Sequence, residues 1–334
     1  MKKKYLNIIL IIVLTIIVLY FSLKDNYHEI MSLLLSADIR WLLFGYLLVL
    51  SYTFLKSVIT NDIINHFKSY PILKTFKLQI MTFFFNAITP FSTGGQPFQI
   101  YVLNKNGLKL SEGSNVIIQE SIIHQFALIL VGLITILLNV FLHVCDVNGT
   151  LFWLLSFGFL SNIIVLTFLF ILSYGKKIDK VLINFVIKLL STFHLVKNKE
   201  KTLEKWHNSI ESFNSGSKSL LASKKRFLKL VLLNSLALFC LYIVPLLVLF
   251  SLRDYTSFNG LEAIVIISFV SLISGYIPLP GGTGGQEYLF LLFFGAYLTN
   301  PLLGSLMILW RFLTYYFPMI VGAITFNVHR NKKE

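Results

Sequence analysis

The sequence predicts an all-α polytopic membrane protein: about six full transmembrane helices plus two re-entrant helical hairpins, arranged as an inverted-topology repeat. Three observations predict it. The 334 residues are 56% hydrophobic and only 13% charged, against about 25% charged in a soluble domain. Several apolar runs approach the ~20 residues that cross ~30 Å of hydrocarbon. One glycine-rich motif, P-x-x-T-G-G-Q, occurs twice, at residues 90–96 and 280–286.

The expected spans are 6–23, 39–59, 116–142, 151–174, 229–251 and 301–327. The first follows three lysines. It is too long for the apolar region of a signal peptide and lacks a small-x-small cleavage site, so an uncleaved helix is expected. Two further apolar stretches, 78–104 and 262–298, are interrupted by the motif. The arms of the first are short for crossing, and each stretch reads as a re-entrant hairpin, with two paired spans as the alternative.

Orientation follows from the basic residues. With a cytoplasmic N-terminus, 25 of the 29 Lys and Arg fall on the cytoplasmic side, Lys56, Lys68, Lys74 and Lys77 among them. Lys24, Arg40 and Arg253 fall outside, and Arg311 lies inside a span. That asymmetry predicts cytoplasmic N- and C-termini. The net charge of +14 is assigned to cytoplasmic loops and anionic lipid, not to nucleic acid. The basic segment 175–229 is either a surface helix on lipid or a solvated linker. Cys145 and Cys240 stand far apart outside any metal-binding pattern, and no cofactor is implied.

The two motifs are 190 residues apart, and Val131-Gly132-x-Ile134-Thr135 matches Val321-Gly322-x-Ile324-Thr325 in the same ungapped register. Two matches in one register argue for duplication. Three expected spans separate the hairpins, so the copies, 1–145 and 146–334, run in opposite directions. Transporters built this way place the substrate near mid-membrane between the repeats.

The motif suits such a place. Proline ends the incoming arm, and paired glycines permit positive φ and close backbone approach. Thr93 and Gln96, like Thr283 and Gln286, have the spacing of a capping box at the start of the outgoing arm. Free amides of Gly94, Gly95, Gly284 and Gly285 at a positive helix end would suit a lipid phosphate. Tight helix packing is the plainer explanation of the glycines. Ionisable residues within spans are rare and point to function. They are Glu120 with His124 one turn later, Glu287 directly after the second motif, and Arg311, which is placed to pair with Glu287 or Glu120 or to receive phosphate. The alternative for each is a structural ion pair or a satisfied polar group.

Thr89-Pro90 with Gly94-Gly95, Gln119-Glu120, the run PLPGGTGGQE, and Trp310-Arg311 leading to Pro318 and Gly322 resemble the transmembrane domain of bacterial lysylphosphatidylglycerol synthases, or multiple peptide resistance factors. The resemblance covers nearly the whole chain. It implies a flippase domain in the bacterial cell membrane, moving aminoacylated phosphatidylglycerol to the outer leaflet and protecting against antimicrobial peptides. The family's cytosolic lysyltransferase domain has no counterpart in these 334 residues, so that enzymatic activity is not expected here. The implied partners are a membrane phospholipid and a separately encoded synthase, with homo-oligomerisation left open. Where the family often has a basic residue after the intramembrane glutamate, this chain has Ser121.

Overall fold

The computed structural model describes residues 27–174 and 223–331. The expected span 6–23 and most of the basic segment lie outside the described residues. Within them the regular structure is helical, with one isolated β-bridge.

A short helix α1 (Tyr27–Leu35) precedes the long α2 (Ile39–Ile64). The first hairpin is α3 (Ile72–Ala87) and α4 (Gly95–Lys105), followed by α5 (Leu110–Leu142) and α6 (Thr150–Tyr174). The second half begins with α7 (Lys224–Tyr242) and α8 (Val244–Ser251), which form one span broken beside Pro245. The second hairpin is α9 (Gly260–Ser274) and α10 (Gly285–Phe294). The last span is α11 (Leu302–Arg311), a π-turn (Phe312–Tyr316) and α12 (Phe317–Asn331). Pro318 explains the π-turn: it cannot donate into the helix and its ring crowds the preceding turn. The amide of Phe317 therefore reaches back to the carbonyl of Phe312.

Five helical stretches are long and apolar enough to cross a membrane, Ile39–Ile64, Leu110–Leu142, Thr150–Ile171, Lys224–Ser251 and Leu302–His329. They coincide with the five expected spans that fall in the described residues. Large apolar side chains such as Phe141, Trp153 and Ile164 stay exposed along them, as expected where lipid replaces water. α2 extends past its expected end at residue 59 to Ile64. Lys56 consequently lies more than two turns inside a span, where it is buried, and not in a cytoplasmic segment as the charge count assumed.

At the offset of 190, α2 corresponds to α7 and α8, α3 to α9, α4 to α10, and α5 to α11 and α12. α4 and α10 both begin at the second glycine of the motif, Gly95 and Gly285. The packing is exchanged: α3 lies along α12, and α9 lies along α5. The matched glycines sit at these crossings. A Cβ on Gly132 would meet the Leu272 side chain on α9 at 3.0 Å, and one on Gly322 would meet the Ile80 carbonyl on α3 at 2.6 Å. Each hairpin is thus clasped by the long helix of the other half. α2 packs against α7, and Phe269, Phe290, Phe293 and Phe294 fill the core on the side of the second hairpin.

Candidate functional site

The two hairpin tips meet. Pro90 and Pro280 face each other in the antiparallel β-bridge. Both tips pass through the left-handed region at the same two positions after the proline. Gly281 and Gly282 have φ of 60° and 66°, and in the first tip Phe91 and Ser92 take 55° and 53°. Glycine adopts this region freely. Phe and Ser bear a steric cost there, and strain of this kind collects at functional sites.

The caps differ from the expected pattern. The N-caps are Gly94 and Gly284, one residue after Thr93 and Thr283. Thr93 donates to its own turn, to the Pro90 carbonyl at 3.1 Å. Three of the four amides expected to be free have partners within the hairpin. Gly94 N–H donates to Thr89 Oγ1 and Gly95 N–H to Asn86 Oδ1, each at 2.8 Å. Gly284 N–H donates to Glu287 Oε2 at 2.7 Å. The glycines also give the arms room: a Cβ on Gly95 would lie 2.3 Å from Thr82, and one on Gly285 would lie 2.6 Å from Ile277.

Glu287 and Arg311 form a buried pair. Arg311 Nε lies 2.7 Å from Glu287 Oε1, and a second guanidinium nitrogen donates to Gln286 Oε1 at 2.6 Å. Both side chains are 3% exposed or less. The guanidinium also lies over the Tyr315 ring, 4.1 Å from its centroid, a favourable cation–π placement. Tyr315 donates to the Ala87 carbonyl at the end of α3 and accepts from Thr283, at 3.2 and 3.4 Å. The residues around Arg311 therefore lock the second tip to the first. Of the two partners anticipated for Arg311, Glu287 is the one it takes.

Glu120 and His124 belong to a different place, a cavity of about 710 Å³ lined by α2 to α7, the end of α9 and the first tip. Thr93 and Gln96 line it, whereas Thr283, Gly284, Gly285, Gln286, Glu287 and Arg311 do not. Glu120 Oε1 accepts from Lys56 Nζ at 2.8 Å, both side chains being about nine-tenths buried. Gln79 Nε2 bridges Glu120 Oε1 and Thr60 Oγ1 at 3.3 and 2.8 Å. Gln99 Nε2 extends the chain to Gln79 Oε1 and Thr82 Oγ1. Glu120 Oε2 is buried and has no partner. His124 Nδ1 lies 3.2 Å from Asn234 Oδ1, and the Asn234 amide nitrogen is likewise unpartnered.

Sequence reasoning missed Lys56, Gln79, Gln99 and Asn234. A signal did exist for the first three. Residues 56, 79 and 99 are polar in the first half, while Leu246, Phe269 and Leu289 stand at the same offset of 190 in the second. Glu120 and Ser121 likewise correspond to Trp310 and Arg311. Residues 56, 79, 99 and 120 of the first half give the cavity charged and amide groups, while apolar residues stand at the same offset in the second half, beside the buried Glu287–Arg311 pair. Among the described residues, no group of three or more His, Cys, Asp or Glu could hold a metal ion.

A family model described as "Lysylphosphatidylglycerol synthase TM region" matches residues 8–322. A UPF0104 membrane protein of Archaeoglobus fulgidus is 25% identical over 262 residues, covering 75% of this chain and 74% of the relative. An uncharacterized protein of Mycoplasma genitalium is 23% identical over 355 residues, covering 96% of this chain and 87% of the relative.

Proposed function

We propose, from the premise that the chain belongs to the lysylphosphatidylglycerol synthase TM region family, that it moves a phospholipid between the leaflets of a bacterial cell membrane. The observation that carries this reading is the Lys56–Glu120 pair in its cavity. Ionised side chains inside hydrocarbon are costly and are kept where a polar substrate or ion passes. The cavity volume of about 710 Å³ falls within the 300–1,000 Å³ of small-ligand sites, enough for a headgroup and too small for a whole lipid. Lys56 offers its ammonium to a phosphate. The unpartnered Glu120 oxygen offers an acceptor to an ammonium, such as that of an aminoacylated phosphatidylglycerol. The acyl chains stay in the bilayer.

In this reading the two halves, 1–145 and 146–334, are inverted repeats, their hairpins enter from opposite faces, and both termini are cytoplasmic. The exchanged packing supports that plan, because each hairpin lies against a long helix of the other half, the interface at which such transporters rearrange. The second half is the rigid partner, held by Glu287 and Arg311. The test is reconstitution into vesicles carrying tail-labelled phosphatidylglycerol or its lysyl ester. Faster exposure of the label to an impermeant quencher than in protein-free vesicles supports the proposal, and equal rates overturn it.

A further inference from the structure

The cavity is electrically balanced before any ligand arrives, which limits the charge a ligand can bring into it. Glu120 is 7% exposed, and Lys56 is the only partner of opposite charge within 4 Å among the described residues. The titratable groups that line the cavity are Lys56 and Tyr52 from α2, His124 from α5 itself, Tyr242 from α7, and Tyr276 beyond α9. α3, α4 and α6 present only neutral side chains. A phosphate that joins Glu120 on the Lys56 ammonium leaves one positive charge against two negative groups in a space that is about nine-tenths buried. Burying an unpaired charge is costly enough that a group neutralises instead.

We propose that Glu120 is a proton site whose occupancy depends on the headgroup: a net-anionic lipid binds with uptake of one proton by Glu120, and a zwitterionic lipid binds without it. A headgroup that brings its own ammonium supplies the positive charge which the proton otherwise provides. That ammonium meets Glu120 Oε2, the oxygen left without a partner. The proton comes from water and adds to the carboxylate, no other bond changes, and it leaves when the anionic lipid does. The proton site rests on the cavity being a lipid headgroup site.

The experiment is calorimetric titration of the full chain in uncharged detergent. The probes are short-chain phosphatidylglycerol and short-chain phosphatidylethanolamine, each in two buffers that differ in ionisation enthalpy. The expected result is uptake of about one proton per phosphatidylglycerol, with affinity tightening up to about tenfold per unit fall in pH, and none for phosphatidylethanolamine. Glu120→Gln abolishes the uptake. Binding of both lipids with equal proton counts, or uptake that survives in E120Q, overturns the proton site and leaves the headgroup reading standing. Failure of wild type to bind either lipid overturns the headgroup reading itself. The wild-type comparison decides even where the variant does not fold.

Discussion

Pro90 and Pro280 lie 190 residues apart in sequence and face each other across a single antiparallel bridge. Neither proline has an amide to donate, so they form the closer, non-hydrogen-bonded type of pair, with Cα atoms about 4.5 Å apart. That separation is within disulfide range. The double variant Pro90→Cys/Pro280→Cys, made with Cys145 and Cys240 replaced by Ser, is expected to cross-link within the chain under mild oxidation. Mass spectrometry of the digested protein reads the bond. Its absence would separate the tips.

The Glu287–Arg311 pair is predicted to hold the fold more than to touch the lipid. Arg311→Met leaves a buried carboxylate without its partner, a loss of about 3–5 kcal/mol. Adding Glu287→Gln removes the stranded charge while keeping an acceptor for the Gly284 amide, so the double variant is expected to recover part of the loss. Thermal unfolding in detergent compares the three proteins. A single variant as stable as wild type would remove the pair from this role.

The two helix-crossing glycines provide a graded test of the exchanged packing. At Gly322 a methyl group meets backbone, the Ile80 carbonyl at 2.6 Å and the Phe84 amide at 3.1 Å. At Gly132 it meets the movable end of Leu272 at 3.0 Å. Gly322→Ala is therefore expected to cost about 1–3 kcal/mol, and Gly132→Ala distinctly less. Unfolding midpoints measure the order, and the reverse order would contradict the crossing geometry.

Much of this architecture is legible in the sequence because bilayers impose simple rules. Length and hydropathy place the spans, and Pro with paired Gly places both tips. The offset of 190 joins Gly132 to Gly322 without knowledge of any contact. The charged site is harder to read. Lys56 lies three residues inside the expected span end at 59, where lysine ordinarily reaches for the interface. Its burial depends on Glu120, 64 positions away, and on α2 continuing to Ile64. The capping expectation fails for a local reason: the Thr93 hydroxyl is turned to the Pro90 carbonyl, and Thr89 and Asn86 reach the glycine amides first. No spacing rule within one motif shows that competition.

The headgroup cavity is tested most directly by lipid translocation in vesicles with the Lys56→Met and Glu120→Gln variants beside wild type. A charge-assisted contact contributes about 1.5–3 kcal/mol, which converts to roughly a ten- to hundredfold change in rate. Each variant that inserts and folds like wild type is expected to lose that much of the translocation of lysylated phosphatidylglycerol. Wild-type rates in both variants would contradict a headgroup seated between Lys56 and Glu120.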